Sequence, residues 1–412
     1  MRCFLNHCAS KRMFAGVLSG QYAISMYNKA LILVLSLVTS IILARLMSPQ
    51  ERGNYAAIIN LISILSVMIC IGLPQSFSYW YKLNGLSAVN DHIRLLVTVC
   101  AFIALIGGFL SFLFGQVVVA FVVVISATYS ISILLTQIHL VIDSNSRKLY
   151  DVISSVIFLV SLVVFINASW DKYWGALFAF CLRVSFDIVF YFIFSRRVRL
   201  LPYVVNPKRI LKTAAIPFIS SIVMILNYKA DIVIMSKISN SEEMGYYSLA
   251  VTIANIAWLI PDAFKDVMFG KAVKNENITS IRKIIGVNIV ISLFSVIFFV
   301  LLGKYFINTL YGHEYLPCYS TTVILIIAVI PMVFYKILNV IYITNGCNKF
   351  IILVSILTTL LNICANCLLV PQNGAKGAAI SSLLSYSFCG LAYLFDYILK
   401  EKRVTIYGVH KA

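Results

Sequence analysis

Charge is scarce in this sequence, and negative charge scarcer still: Asp and Glu number 15 among 412 residues, against 33 Lys and Arg. Charged residues are 12% of the chain and hydrophobic residues 61%, where soluble domains run at about 25% and about 45–50%. That shortage excludes a soluble globular domain and leaves an integral membrane protein. Alternation is missing as well. The runs 116–126 and 284–302 do not alternate apolar with polar residues, as strands of an outer-membrane barrel would, so the spans are helices. No G-x-x-x-x-G-K-[ST] motif is present, which excludes a P-loop for ATP, and there is no H-E-x-x-H. His7, His92, His139, His313 and His410 are scattered without ligand spacing, so neither a metal nor another cofactor is expected. No outward loop is long enough to hold a catalytic domain, and the chain is not expected to be an enzyme.

Cysteine is present without a framework. Cys70, Cys100, Cys181 and Cys389 fall inside apolar runs, and Cys364 and Cys367, at redox or metal spacing, lie mid-span with no His or acid nearby. They read as small packing residues. A cleavable signal peptide is not evident, because the first apolar run continues into a full span. The net charge of +18 would suggest nucleic acid in a soluble protein. Here its distribution matters instead, and nucleic acid is not an expected partner.

A helix needs about 20 apolar residues to cross the hydrocarbon core, and the chain divides into twelve such spans: 21–46, 55–71, 95–114, 117–140, 151–166, 174–194, 214–235, 246–264, 284–302, 320–343, 350–370 and 378–399. With the N-terminus inside, the inner loops carry 23 Lys and Arg and the outer loops six, which places both termini in the cytoplasm. Aromatic residues cluster at the expected interfaces, among them Trp170, Tyr173, Trp174, Tyr246 and Tyr247, where amphipathic rings favour the headgroup level.

One stretch occurs twice. RLMSPQERGNY at 45–55 and KISNSEEMGYY at 237–247 align at an offset of 192, matching Arg45 with Lys237, Glu51 with Glu243, Gly53 with Gly245 and Tyr55 with Tyr247. Later pairs follow at an offset of about 201: 143–148 with 344–349, and 172–176 with 374–378. Two copies of an even number of spans enter the membrane the same way up, so they are related by an axis along its normal. The expected fold is all-α, with about twelve transmembrane helices in two parallel-repeat six-helix lobes around a cleft. The lobes are 1–195 and 214–412, joined by a basic cytoplasmic linker at 196–213 in which Pro202 and Pro207 break any continuous helix.

Ionisable groups within spans are expensive and usually face the bundle interior or a water-filled cavity. Lys29, Arg183, Lys229 and Lys336 fall inside spans, and with Arg45 from the repeated turn they form a set of cleft cations at graded depth. Such a cleft suits a phosphate or diphosphate. Arg183 and Asp187 are four apart and can pair on one helix face. Asp187, Asp231 and Asp262 are the candidate carboxylates for H⁺ or Na⁺ coupling. Asn60, Gln75, Asn227, Asn255, Asn339 and Asn362 are polar residues available to line the cleft.

The first span with its charged turn, 42–55, resembles the opening of bacterial polysaccharide exporters, above all the Wzx-type O-antigen flippases of the multidrug/oligosaccharidyl-lipid/polysaccharide superfamily. Segments 227–231, 243–250 and 374–379 resemble the same family. The resemblance covers essentially the whole chain. It implies a V-shaped, MATE-like pair of lobes in the bacterial inner membrane, working by alternating access. It also implies an undecaprenyl-diphosphate-linked oligosaccharide as substrate, with an O-antigen polymerase and a chain-length regulator as neighbours in lipopolysaccharide biosynthesis. The alternatives are a multidrug antiporter of the same fold, in which acids would dominate the cavity, and a membrane-bound polymerase or ligase, which would need a large outward loop.

Overall fold

The computed structural model describes residues 20–85, 87–142, 144–168, 172–194, 207–273, 281–344 and 348–407, and every regular element among them is helical. The helices are α1 (Gly20–Leu46), α2 (Pro49–Ile69), α3 (Leu73–Asn84), α4 (Ser87–Leu113), α5 (Val117–Ile142), α6 (Ser144–Ala168) and α7 (Lys172–Phe194) in the first half of the chain. The second half gives α8 (Pro207–Ile238), α9 (Ser241–Val273), α10 (Ile281–Leu310), α11 (Cys318–Ile327), α12 (Val329–Thr344) and α13 (Asn348–Tyr407). Among the described residues nine helices are long and apolar enough to cross a membrane. α13 is two such passes, because Gly374 (φ 50°, ψ −128°) breaks it into two arms. α11 and α12 together make one pass, and with α1 and α9 the total is the twelve expected from sequence. The large apolar side chains left exposed, such as Phe102, Leu105, Phe294, Leu301 and Leu368, are the lipid-facing surface of such a bundle.

The helices begin before or run past their apolar runs, because polar caps rather than hydropathy set their limits, although α2 and α4 end one or two residues short of theirs. α2 begins at Pro49, inside the stretch expected to be a turn. Ser48 is its N-cap: the Ser48 hydroxyl accepts from the Glu51 amide (3.3 Å) and Glu51 accepts from the Ser48 amide (2.8 Å), a complete capping box with proline at the first helical position. In the second copy Asn240 takes the same place, its Oδ1 accepting from the Glu243 amide at 2.8 Å. The described part of the expected linker, 207–213, is the start of α8, with Pro207 at a position where its missing amide is harmless; residues 195–206 lie outside the described residues. Hydropathy also gave no sign of α3, a short amphipathic helix. Its Trp80 donates to Thr213 Oγ1 at 2.8 Å and stacks under Arg209, tying α3 to the first turns of α8.

The bundle has two faces. The turn face carries the repeated stretches 45–55 and 237–247. The basic face, where α1 begins and α13 ends, carries Lys208, Arg209, Lys265, Lys283, Lys349 and Lys400. Inside the first half, α2 and α5 are joined by a hydroxyl ladder: Ser66 donates to the Ser126 carbonyl and Ser130 to the Ser66 carbonyl, each at 3.0 Å, as helices in lipid associate through small polar residues.

Asp187 of α7 is the polar centre of the first half. It is buried and accepts from Ser132 (3.0 Å), Ser154 (2.8 Å) and the Tyr150 hydroxyl, so it fastens α7 to α5 and α6. The pairing expected between Arg183 and Asp187 does not form. Arg183 instead donates to Ser154 (3.2 Å) and lies over the Phe158 ring, while three hydroxyls meet the carboxylate in its place. Asp187→Ala is expected to lower stability by about 2–4 kcal/mol by orphaning buried hydroxyls. Thermal unfolding of the detergent-purified variant measures this.

Candidate functional site

A cavity of about 880 Å³ lies at the centre of the bundle, between the two halves. α2 contributes Arg52, Tyr55 and Asn60; α8 contributes Tyr228, Lys229 and Asp231; α9 contributes Tyr247, Ser248, Asn255, Trp258, Asp262, Lys265 and Asp266. α12 adds Tyr335, Lys336 and Asn339, and the second arm of α13 adds Tyr386. Most of these positions come from helices with interrupted hydropathy, where a polar stripe of one face meets the same stripe of a neighbour.

At the turn face the cavity is shut. α2 and α9 cross there in one of the most extensive helix contacts of the molecule, and the two repeated stretches meet each other at the crossing. Gly53 faces the Ser241 carbonyl so closely that a Cβ would run into it, and a Cβ on Gly245 would run into the Pro49 carbonyl. The duplicated glycines are thus the contact surface of the two copies. Above them Arg52 is buried, donating to the Ser40 carbonyl (3.1 Å), Ser40 Oγ (3.1 Å) and Ser248 Oγ (3.3 Å), with Tyr315 beneath its guanidinium. The Tyr315 hydroxyl donates to the Met47 carbonyl at 2.9 Å. Arg45 donates to the carbonyls of Leu310 (2.9 Å) and Thr309 at the end of α10, where a cation is favoured by the exposed carbonyls. At the other end the side chains of Asp262, Lys265 and Asp266 are 37%, 40% and 44% exposed. The cavity therefore opens toward the basic face.

Lys336 and Lys229 are the cavity's deep lysines, and they are held differently. Lys336 Nζ is 2.7 Å from Asp262 and 4.1 Å from the centre of the Trp258 ring, a buried ammonium sandwiched between carboxylate and indole. Lys229 is half-buried and has no ion-pair partner among the described residues. Asp231, two residues further along the same helix and so on another side of it, does not face it. Its carboxylate is buried and accepts from the Tyr247 hydroxyl (2.6 Å), Asn366 Nδ2 (2.7 Å) and Ser382 Oγ (2.9 Å), joining α8 to α9 and both arms of α13.

Of the cations expected in the cleft, the cavity brings together Lys229 and Lys336. Arg183 does not line it. Arg45 lies at the turn-face closure, and the side chain of Lys29 on α1 lies outside the described residues. Of the carboxylates, Asp231 and Asp262 line the cavity and Asp187 does not. Asn60, Asn255 and Asn339 line it as well; Gln75 is exposed on α3, Asn227 is half-buried outside the lining and Asn362 is buried within the second half. Cys364 and Cys367 are exposed on the first arm of α13.

Sequence reasoning missed Arg52, counted as a loop cation. The signal was available: three residues after a capping serine, an S-x-x-E pattern already marks the helix start, which puts Arg52 in the first turn rather than in a loop.

A family model described as polysaccharide biosynthesis protein matches residues 42–320. A search of curated proteins gave no match. Among solved structures, the lipid II flippase MurJ in an inward closed conformation superposes with a TM-score of 0.74 at 14% identity, over 91% of this chain and 87% of that one. An inward-facing multidrug resistance MATE family transporter of the MOP superfamily gives a TM-score of 0.69 at 14% identity, over 92% and 96%. A MOP superfamily transporter from Pyrococcus furiosus, described as having a binding pocket of reverse polarity, gives 0.61 at 15% identity, over 93% and 96%. At these identities the likeness is one of fold, and the fold is MATE-like.

Proposed function

Because the chain belongs to the polysaccharide biosynthesis protein family, we propose that it flips an undecaprenyl-diphosphate-linked repeat unit of O-antigen, or of a related surface polysaccharide, across the bacterial inner membrane. The basic face is then cytoplasmic, with both termini on that side, and the lobes are 1–195 and 214–412. The observation that carries this reading is Lys229, a cation with no counter-ion among the described residues, in a cavity shut at one end. A half-buried ammonium with no carboxylate beside it is open to an anion that arrives from elsewhere. Four cations, Arg52, Lys229, Lys265 and Lys336, face three carboxylates in the lining, a balance that disfavours a cationic drug as cargo. The lipid tail would remain in the bilayer while the diphosphate and sugars occupy the cavity, and Asn60, Asn255 and Asn339 would hydrogen-bond the sugar hydroxyls.

Alternating access requires the turn-face closure to open and the basic face to close. Asp231 is the carboxylate best placed to couple this to H⁺ or Na⁺. It ties α8 to α9 and α13 through three donors, and neutralising it would weaken all three contacts together. The polymerase and chain-length regulator of the same pathway would meet the repeat unit after it leaves at the turn face.

Deleting the gene in its native host is expected to remove the polysaccharide ladder from a lipopolysaccharide gel and to accumulate lipid-linked single repeat units facing the cytoplasm. A plasmid copy restores the ladder. A ladder unchanged by deletion would remove the O-antigen assignment, and accumulation of units on the outer leaflet would point to polymerisation instead.

A further inference from the structure

Asp262 covers Lys336 at the open side of the cavity. Its carboxylate is 2.7 Å from Lys336 Nζ and 3.4 Å from Lys265 Nζ. The Lys336 side chain is 8% exposed and that of Asp262 37%, so the cation is fixed in the wall and the anion covers it from the open side. On its other flank Lys336 packs on the Trp258 ring. Lys265 has a second partner in Asp266 at 3.9 Å and does not depend on Asp262 alone.

We propose that Asp262 is a built-in stand-in for the substrate's phosphate, neutralising Lys336 while the cavity is empty and giving way when a diphosphate arrives. This rests on the reading of the cavity as a diphosphate site. An ammonium as deeply buried as that of Lys336, unlike the half-buried Lys229, is costly to leave unpaired at any stage of the cycle. A carboxylate supplied by the protein meets that need before loading and after release. A diphosphate brings more negative charge and more acceptor oxygens than one carboxylate, so it displaces Asp262 on arrival. When the substrate leaves, the carboxylate returns and opposes rebinding. Asp262 thus lowers affinity and favours release, which serves a carrier better than tight retention. A permanent staple between α9 and α12 would have the opposite consequence, since nothing would be gained by removing it.

The test is calorimetric binding of geranyl diphosphate, a short-chain prenyl diphosphate, to the detergent-purified full chain. Asp262→Asn keeps the shape and removes the charge, and it is expected to bind about tenfold more tightly than wild type while flipping more slowly. Lys336→Gln is expected to weaken binding, and in that background Asp262→Asn should no longer tighten it, because the stand-in acts through Lys336. Equal or weaker binding by Asp262→Asn, with wild type and Lys336→Gln behaving as described, would overturn the stand-in and leave the diphosphate reading intact. Tightening that persists in the Lys336→Gln background would overturn it as well. Absence of binding by the wild-type chain would overturn both.

Discussion

Lys229→Ala is expected to abolish export while the protein remains inserted at normal abundance. Lys229 has no carboxylate within ion-pair distance among the described residues, so its removal orphans no internal partner and should leave the fold intact. What it removes is a contact to the arriving anion. Loss of one desolvated charge-to-phosphate contact costs about 2–4 kcal/mol, roughly a 30- to 1,000-fold loss of binding. Lys229→Arg keeps the charge and should retain part of the activity. The measurement is surface polysaccharide by gel alongside immunoblot of the membrane fraction. Wild-type export by Lys229→Ala at wild-type abundance would remove this residue from the site. The same experiment on Arg183→Ala separates a cavity residue from one packed on Ser154 and Phe158: its expected loss is smaller and accompanied by lower thermal stability.

Gly245→Leu is expected to prevent closure at the turn face and to hold the cavity open on that side. The Pro49 carbonyl already occupies the place of a Cβ there, and a backbone carbonyl cannot turn aside as a side chain can. Overpacking of this kind costs about 1–3 kcal/mol, enough to move a two-state equilibrium by about 5- to 150-fold toward the state in which the helices are apart. In a cysteine-free background with Asn255→Cys, a membrane-impermeant maleimide should label the wild-type cavity from the basic face. With Gly245→Leu added, labelling should come from the turn face, and export should fail. An unchanged labelling pattern would show that the two glycines are not what closes that side. Gly53→Ala, with its Cβ directed at the Ser241 carbonyl, should act in the same direction.

Much of the fold could be read from hydropathy because lipid allows few alternatives: each apolar run of sufficient length had to be a helix. The duplicated stretch was legible for another reason. Glycine at positions 53 and 245 is required by a close approach, and that requirement leaves a mark in the sequence even though the partner cannot be named from it. What could not be read is facing. Arg52 and Arg45 lie seven residues apart in one repeated motif, yet one is buried against Ser40 and Ser248 and the other reaches across to the end of α10. Arg183 and Asp187 have ideal spacing for a pair, but Ser132, Tyr150 and Ser154 come from helices distant in sequence and take the carboxylate. In each case the deciding partner lies on another helix, where periodicity carries no information.

The two copies of the repeated stretch also differ in when they can be completed. Glu51 returns to its own cap at Ser48, three residues away, so the first turn of α2 is finished as soon as it emerges. Glu243 does not return to Asn240; its carboxylate accepts from the Ala375 amide at 2.8 Å, at the start of the last arm of α13. Asp231 likewise waits for Asn366 and Ser382. During synthesis the first half can settle while the ribosome is still working, whereas the polar interior of the second half stays unfinished until the final helix is inserted. A nascent chain halted before Gly374 would therefore hold a mature first half beside a second half with its key carboxylates unmet, a natural target for membrane quality control.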